Sequence, residues 1–483
     1  MTTPSTPVFP DFLYQKVAER FEHLITTRVL KIGDKLPSVR ALSAEQGISL
    51  STAFRAYSEL EMRGMVEART KSGYYVSYRP HLQAPTSRAP EPITDPARIS
   101  VDGMIAQVYQ QRSAEGITQL ALATPALELL PQSKLNKTLS EALRTHPASC
   151  LNYEEVQGNR LLRKQIARYA VAGDIAVTEH DIVTTHGCVD ALMLCLRAVT
   201  KPGDTVAIDS PTYFGIFSVL QGLSLNALQI PTHPIDGLDL AYLENALGTV
   251  RVAACLFVPT FNNPTGSCLS DARKQRLVAL LAAHEIPLVE DDIYGELYFG
   301  KQRPRTCKSF DQQGLVMLCT SVSKSLAPGY RIGWCMPGRF LAQVINLKRM
   351  MAVASTTPTQ VAVGLFFENG RFDLHMRKLR KALHTQCLQY SQAIAQYFPP
   401  DVKITRPEGG YVLWLEMNQQ INAYELFQTA LQHKISIAPG PIFSTDGRFT
   451  NYFRMSFGKP FDNQIAEGLK KLGALIQQKA PVR

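Results

Sequence analysis

Apolar residues in the first eighty positions recur three or four apart, the spacing of one face of a helix. The faces so predicted are Leu13, Val17, Phe21 and Leu24 in a first helix, and Ala53, Tyr57 and Leu60 in a third. A second helix begins after Ser38, which can cap its N-terminus, and ends before Gly47. Ser49 can cap the third helix, and Gly64 follows its last turn. The segment therefore begins with three short helices.

Two strand-like runs and then a proline-rich stretch follow these helices. MVEAR and YYVSY predict the strands of a small hairpin, joined by residues 70–73. Residues 80–96 contain five prolines and almost no aliphatic residue, which predicts an extended, semi-rigid linker. We therefore expect a domain over residues 1–79, a linker over 80–100 and a second domain over 101–483.

The second segment alternates between apolar strand-like runs and helical stretches. DTVAID, VAACLFVP, PLVEDD and LVMLCTS predict buried strands, and SDARKQRLVALLAAHE predicts a helix between two of them. This alternation favours an α/β fold with a largely parallel sheet covered by helices. The polar clusters Asn262–Asn263, Asp291–Asp292 and Ser321–Lys324 each follow one of these runs, where folds of this class bind ligands.

Composition narrows the class of protein without deciding its function. The chain has 483 residues, of which 45% are hydrophobic and 19% are charged, as in ordinary globular proteins of more than one domain. The sequence contains no apolar run of transmembrane length, and the first residues, MTTPSTPVFPDF, do not resemble a signal peptide. The nine cysteines include no C-x-x-C pair, so we expect reduced thiols, no metal site and a cytoplasmic protein. The net charge of +10 permits nucleic-acid binding but does not establish it.

The three-helix segment offers chemistry suited to DNA. A short helix, a turn at Gly47 and a second helix form the plan of a helix-turn-helix, whose second helix enters the major groove. The hydroxyls and guanidiniums that can reach phosphates or base edges belong to Arg40, Ser49, Ser51, Thr52 and Arg55. Lys71 and Gly73 would lie at the tip of a hairpin wing.

The strings GDKLPSVRALS, GISLSTAFRAYSELEMRGMVEA and KSGYYV resemble the winged helix-turn-helix of GntR-type regulators over roughly residues 11–78. The resemblance implies double-stranded operator DNA as a partner. One departure is Leu50, where relatives often carry arginine, so one phosphate or base contact is expected to be absent. The pattern leaves two alternatives open: a three-helix interaction module without a DNA role, and Arg40 or Arg55 as an ordinary solvated charge.

The second segment carries, in a set order, the groups that a pyridoxal phosphate site needs. Such a site requires a lysine for the Schiff base, a carboxylate for the pyridine nitrogen and several donors for the phosphate. SVSK followed by PGYRIG, with NNPTG and EDDIY upstream, resembles the class I and II aminotransferases over roughly residues 115–475. The resemblance implies fold type I, a mostly parallel sheet with helices on both faces and a smaller C-terminal α+β subdomain.

The resemblance also implies roles for individual residues. Lys324 would hold pyridoxal phosphate as an aldimine and act as the catalytic base, while Asp291 would pair with the pyridine nitrogen. Asn263 and Tyr294 would reach the 3′ oxygen of the cofactor, and Tyr213 would stack on its ring. Each role has a plainer alternative: Lys324 as a surface lysine, Asp291 and its neighbour as helix caps, and Tyr213 as ordinary core.

Further residues would hold the two anionic groups. The phosphate contacts implied by the resemblance are Ser321, Arg331, Gly187, Cys188 at a helix start, and Tyr153 acting across a dimer interface. Arg454, in the string FRMSF, would clamp the carboxylate of a ligand. Relatives usually carry glycine at the position of Ala123, so we expect a narrower ligand pocket here.

The order of the two predicted domains along the chain indicates the class of regulator. A winged helix joined through a proline-rich linker to an aminotransferase-like domain resembles the MocR subgroup of GntR-type regulators. The resemblance implies a domain-swapped homodimer that reads paired half-sites and senses pyridoxal phosphate or an amino compound. Two alternatives remain open: an active aminotransferase with a DNA-binding head, and a large domain that is a cofactor-free scaffold.

Overall fold

The computed structural model describes residues 13–26, 29–69, 72–77, 85, 102–110 and 116–479. The chain divides into two compact units, residues 1–82 with 388–396 and residues 83–387 with 397–483. The predicted linker lies outside the described residues except for Pro85. No helix within the described ranges is both long and apolar enough to cross a membrane.

The first unit has the three helices and the hairpin that the sequence predicts. Its elements are α1 (Leu13–Thr26), α2 (Val39–Gln46), α3 (Leu50–Met62), β1 (Val66–Arg69) and β2 (Gly73–Val76). Ala53, Tyr57 and Leu60 are buried on α3, which confirms the face predicted for this helix. The hydroxyl of Tyr57 donates to the carbonyl oxygen of Pro37 at 2.8 Å, so the one polar atom of this core ring is satisfied.

The buried face of α1 differs from the prediction at its first residue. Leu13 is 56% exposed, while Phe21 and Leu24 are half-buried. The fully buried residues of this helix are Tyr14, Val17, Ala18 and Ile25. Since these residues also have helical spacing, the helix is rotated slightly so that Tyr14, rather than Leu13, faces the core.

Both predicted N-caps and the predicted turn glycine are confirmed. Ser38 Oγ accepts a hydrogen bond from the backbone N–H of Ala41, and Ser49 Oγ accepts one from that of Thr52, each at 3.1 Å. Gly47 follows α2 with φ 62°, the left-handed conformation that glycine adopts without steric cost. These local signals fix the turn between the two helices of the helix-turn-helix.

The second unit is built around an eight-stranded sheet. Its strands are β4 (Val183–Thr185), β5 (Thr205–Ser210), β6 (Asn226–His233), β7 (Gly237–Leu238), β8 (Ala254–Phe257), β9 (Leu288–Asp291), β10 (Val316–Ser321) and β11 (Gly333–Met336). Their order in the sheet is β4-β11-β10-β9-β8-β5-β6-β7. The five strands from β10 to β6 pair in parallel. The four apolar runs singled out in the sequence are β5, β8, β9 and β10, and these strands are buried along almost their whole length, as expected for a sheet covered on both faces.

Helices surround this sheet and a smaller one. They are α4 (Asp102–Gln110), α5 (Gln132–Thr145), α6 (Pro147–Leu151), α7 (Arg160–Ala172), α8 (Cys188–Val199), α9 (Phe214–Gly222), α10 (Leu240–Leu247), α11 (Asp271–Ala283), α12 (Leu341–Ala352), α13 (Thr357–Glu368), α14 (Arg371–Tyr397), α15 (Ala423–Gln432) and α16 (Asn463–Lys479). The remaining strands are β3 (Thr118–Gln119), β12 (Lys403–Ile404), β13 (Val412–Glu416), β14 (Ile435–Ser436), β15 (Ala438–Pro439) and β16 (Tyr452–Ser456). Four of them form an antiparallel sheet, β12-β13-β16-β15, and β3 pairs with β14. The fold class predicted from the sequence, α/β with a smaller C-terminal subdomain, is confirmed.

Candidate cofactor site and DNA-binding face

Strands of the large sheet end at a common edge, where most of the predicted site residues meet. β5, β8, β9 and β10 are parallel, and β4 points the same way because β4 and β10 are both antiparallel to β11. Gly187 follows β4, Tyr213 follows β5 and Asn263 follows β8. Asp291 ends β9 and Ser321 ends β10. Folds of this class bind ligands at this edge.

Lys324 lies just beyond the end of β10, with its amine directed to the backbone of a distant segment. Lys324 Nζ donates a hydrogen bond to the carbonyl oxygen of Ala123 at 2.6 Å. The hydroxyl of Tyr411 donates to the carbonyl oxygen of Lys324 at 2.6 Å, and His375 Nε2 lies 2.7 Å from that of Ser325. Burial lowers the pKa of His375, so the ring is neutral and donates its Nε2–H. The sequence motifs assigned no role to Tyr411 or His375.

The two adjacent aspartates have different surroundings. Asp291 Oδ1 accepts hydrogen bonds from Cys188 Sγ at 3.3 Å and from the backbone N–H of Ile293 at 3.1 Å. Asp292 forms an ion pair with Arg303 instead. Burial raises the pKa of Asp291 to about 6, because desolvation disfavours its charged form. Asp291 thus contacts the start of α8 while Asp292 is already neutralised, which supports the choice of Asp291 for the pyridine nitrogen.

An anion cradle is formed where α8 begins. Gly187 is the N-cap of α8 with φ 106°, and a Cβ atom there would collide with the guanidinium of Arg331. Arg331 itself has φ 54° and donates from Nη2 to the carbonyl oxygen of His186 at 2.7 Å. Ser321 Oγ accepts a hydrogen bond from the N–H of Ser323 at 3.2 Å. A helix N-terminus, a guanidinium and serine hydroxyls are together suited to a phosphate.

Arg454 is buried in the C-terminal sheet and reaches the same site. It donates from Nη1 to Asn263 Oδ1 at 2.9 Å and from Nη2 to the carbonyl oxygen of Ala121, and its guanidinium lies 5.1 Å from the ring centre of Phe443. Its buried Nε has no hydrogen-bond partner, and the ion pairs of the described residues do not include this arginine. Asn263 Nδ2 donates to the hydroxyl of Tyr294 at 3.3 Å. A buried cation without a carboxylate is costly, so the arrangement is suited to an anionic ligand.

Two tyrosines predicted for the site lie in different positions. Tyr213 is half-buried, and its hydroxyl forms a hydrogen bond of 3.0 Å with the hydroxyl of Tyr109. Tyr153 is 90% exposed, and its contact with a second copy of the chain stays a prediction. Sequence reasoning missed Tyr109, because its neighbour is 104 positions away and no motif includes it.

The DNA-binding candidates lie at the start of α2 and α3 and on the hairpin. Arg40, Ser49, Ser51 and Arg55 are exposed, and Thr52 is half-buried. The hydroxyl of Ser49 forms hydrogen bonds of 2.8 Å with those of Ser51 and Thr52, and the guanidinium of Arg55 lies over the ring of Tyr14 at 4.4 Å. Leu50 is 54% exposed beside these hydroxyls. Gly73 begins β2 with φ 107° opposite Arg69, while Lys71 lies outside the described residues.

The residues at the sheet edge fit pyridoxal phosphate. Gly187 has no side chain, which lets the guanidinium of Arg331 lie against the backbone at the start of α8, where both can face an anion. The carboxyl group of Asp291 is buried and accepts a hydrogen bond from Cys188 at the start of α8, and Lys324 supplies a primary amine. Asn263 and Tyr294 add a hydrogen-bonding pair for a ring oxygen. This donor set matches the phosphate, pyridine nitrogen, aldehyde and 3′ oxygen of the cofactor.

Comparisons with known proteins match each of the two units to a known family. Residues 13–76 match the model of the bacterial regulatory proteins of the gntR family, and residues 121–472 match aminotransferase class I and II. The HTH-type transcriptional regulators YdcR and YjiR of Escherichia coli K12 are 37% and 36% identical, each over 96% of this chain and over 99% and 98% of their own lengths. LysN, an α-aminoadipate aminotransferase from Thermus thermophilus solved with N-(5′-phosphopyridoxyl)-L-leucine, is 26% identical with a TM-score of 0.72. That alignment covers 79% of this chain and 96% of LysN.

The aminotransferase match alone spans more than half of the chain, and the two regulators match it from the helix-turn-helix to the C-terminal domain. The order of the parts is therefore the one that the sequence predicted. The chain belongs to the GntR-type transcriptional regulators in which a helix-turn-helix is fused to an aminotransferase class I and II domain, the MocR architecture.

Proposed function

We propose that this regulator binds operator DNA through its first unit and holds pyridoxal phosphate on Lys324 in its second. Its DNA affinity would depend on whether the cofactor, or the cofactor together with an amino compound, occupies the site. The observation that carries the proposal is the convergence of Lys324, Asp291 and Arg331 at the edge of the sheet, in a chain whose relatives are regulators.

Each group of the cofactor has a counterpart in the site. Arg331, Ser321 and the start of α8 would hold the phosphate, and Asp291 would pair with the pyridine nitrogen. The pairing would keep Asp291 ionised, because a nearby positive charge favours the charged form of a carboxyl group. When bound, pyridoxal phosphate supplies an aldehyde carbon that condenses with primary amines. Lys324 would be the resident amine, held in place by its backbone contact with Tyr411.

Arg454 would provide the selectivity for an amino-acid-like ligand. Its Nε lacks a partner and its Nη1 is held by Asn263, so the guanidinium is already oriented before a ligand arrives. A carboxylate that replaced the contact with the Ala121 carbonyl would gain a charge-assisted, bidentate hydrogen bond. The ligand class is therefore a primary amine that also carries a carboxylate.

DNA recognition would combine phosphate contacts with base contacts. Arg40 is exposed at the start of α2, and Ser51 and Arg55 are exposed along α3. The guanidinium of Arg55 lies over the ring of Tyr14, a contact that restricts the side chain and would lower the entropy lost on binding. We propose binding upstream of the protein's own gene or a neighbouring one, by a cytoplasmic homodimer that reads paired half-sites.

Dimerisation would complete the cofactor site. Tyr153 is exposed in the single chain and would reach the phosphate held by a second copy. Leu151, two residues earlier, is 89% exposed, so a contact between two copies at this position would also bury a large apolar side chain. A homodimer, with each copy donating Tyr153 to the other, would cover both residues.

Borohydride reduction of the full chain loaded with pyridoxal phosphate tests the covalent attachment, with peptide mass mapping as the readout. We expect the label on Lys324, its loss in Lys324→Ala, and no change in the control Lys164→Ala, whose side chain is exposed on α7. A label on another lysine would refute the assignment.

DNA binding is tested separately by titrating the protein with the upstream region and with a scrambled duplex. Equal affinity for both duplexes would refute the proposal that the protein binds a specific operator.

Amino transfer is a second candidate function. It is favoured by the presence of Lys324 and Arg454 in one site, since a displaced lysine amine can act as a general base on a carboxylate-anchored amine. Product formation with a panel of amino donors, compared between the wild type and Lys324→Ala, distinguishes an active enzyme from a sensor.

A further inference from the structure

The helix α4 is the first described element after the predicted linker, and it is docked on the second unit. Ile105 and Val108, one turn apart, are buried and hold one face of this helix. Two polar side chains in its last turn, Gln107 and Tyr109, make further contacts with the second unit. α4 is also the described element of the second unit that lies nearest in sequence to residues 1–82 of the first unit.

Tyr109, in the last turn of α4, contacts the residue that would cover the cofactor ring. Its hydroxyl lies 3.0 Å from the hydroxyl of Tyr213, and its ring packs edge-to-face on Phe214 with centres 5.5 Å apart. Tyr213 and Phe214 are the N-cap and the first residue of α9, and their rings lie 4.8 Å apart. The three rings therefore form one cluster that joins α4 to the start of α9.

The same turn of α4 is tied to the C-terminal subdomain. Gln107 Oε1 accepts a hydrogen bond of 3.0 Å from the hydroxyl of Tyr424, on α15. This bond and the bond between Tyr109 and Tyr213 are both exposed, but only Tyr109 also packs its ring on Phe214. Two side chains two positions apart thus fasten α4 to two different parts of the second unit.

We propose that Tyr109 is the positioning residue through which occupancy of the cofactor site controls the order of α4, and through α4 the DNA affinity of the protein. The inference rests on the proposed binding of pyridoxal phosphate against Tyr213. A cofactor ring would restrict the side chain of Tyr213 and so strengthen its hydrogen bond with Tyr109. A free Tyr213 would hold α4 less firmly. Because such coupling is reciprocal, DNA binding that orders α4 would in turn tighten cofactor binding.

The expected size of the effect follows from the single hydrogen bond that the proposal invokes. The loss of one hydroxyl–hydroxyl hydrogen bond changes a local opening equilibrium by about threefold to tenfold. The coupling is therefore measurable as hydrogen exchange of the backbone amides of residues 102–110, without knowledge of the operator.

The experiment compares hydrogen exchange of the full-length protein with and without pyridoxal phosphate, in the wild type, Tyr109→Phe and Tyr424→Phe. Tyr109→Phe removes the hydroxyl but keeps the ring on Phe214. We expect pyridoxal phosphate to slow exchange in α4 about threefold to tenfold in the wild type, and less than about twofold in Tyr109→Phe. Tyr424→Phe is the matched control: exchange rises in both states, but the response to the cofactor remains.

Loading is followed by absorbance in every sample, so the two proposals fail separately. An absence of cofactor absorbance in the wild type would overturn the proposed function. Normal loading with unchanged exchange of α4, or a full response in Tyr109→Phe, would overturn the role of Tyr109 alone. As a second measurement, the ratio of DNA affinities with and without pyridoxal phosphate is expected to move toward one in Tyr109→Phe and to stay unchanged in Tyr424→Phe.

Discussion

Gly187→Ala gives a direct test of the anion cradle. Gly187 has φ 106° and ψ 174°, a backbone conformation that is almost confined to glycine. A methyl group there would also occupy the space of the Arg331 guanidinium. The substitution therefore strains the start of α8 and displaces the cation expected to hold the phosphate, while it removes no polar side chain.

The two effects can be estimated separately. Backbone strain at such a position costs about 1–3 kcal/mol of folding free energy. Losing the charge-assisted hydrogen bonds of one arginine costs about 1.5–3 kcal/mol of binding free energy, which corresponds to a Kd about tenfold to 150-fold higher. Gly203 is the matched control, because it has φ 90° and an added Cβ atom would meet nothing within 4 Å.

Urea unfolding and absorbance titration with pyridoxal phosphate are the two assays. We expect Gly187→Ala and Gly203→Ala to lose similar free energies of unfolding, and only Gly187→Ala to lose cofactor affinity. If folded Gly187→Ala bound pyridoxal phosphate as tightly as the wild type, the start of α8 would not be the phosphate site. Equal loss of affinity in both variants would show that strain alone weakens binding.

Single substitutions also test the DNA-binding face, the protonation of Asp291 and the role of Arg454. Arg40→Ala should weaken binding to specific and scrambled DNA alike and reduce the slope of log affinity against log salt by about 0.9, as measured by fluorescence anisotropy. In the cofactor-free protein, burial raises the pKa of Asp291 to about 6, so the folded state keeps a proton that the unfolded state has lost. The free energy of unfolding should then fall by about 3 kcal/mol as pH rises from about 4 to about 6 through this group, and Asp291→Asn should remove that part of the decline in urea titrations. Arg454→Lys should leave the Kd of pyridoxal phosphate within about twofold but weaken amino-acid binding about tenfold or more by absorbance, because a lysine ammonium cannot clamp a carboxylate with two parallel hydrogen bonds.

The large sheet could be predicted from the sequence because its buried strands are continuous apolar runs. DTVAID and LVMLCTS became β5 and β10 with nearly their predicted ends, and the polar residues after each run meet at one edge because the strands are parallel. The face of α1 was misread at Leu13, since the pattern offered no reason to prefer the neighbouring Tyr14, which is apolar in its ring and polar at its hydroxyl.

Contacts that depend on tertiary packing could not be predicted in this way. The sequence could not separate Asp291 from Asp292 by their own chemistry; the partner of Asp292, Arg303, is known only once the chain has turned back on itself. The same holds for His375 and Tyr109, whose neighbours are 50 and 104 positions away. The role of Tyr153 requires a second chain, so it stays a prediction.

The long sequence separations in the cofactor site have a consequence for synthesis of the protein. The core of the first unit is made of residues between Tyr14 and Val76. In contrast, Lys324 meets a carbonyl 201 positions upstream and Arg454 one 333 positions upstream. Because N-terminal domains fold first on the ribosome, a nascent chain acquires its DNA-binding core hundreds of residues before its pocket can close. A chain cut short before β16 is therefore expected to retain that core and to lack Arg454, which would make it a DNA-binding protein that no amino acid can switch.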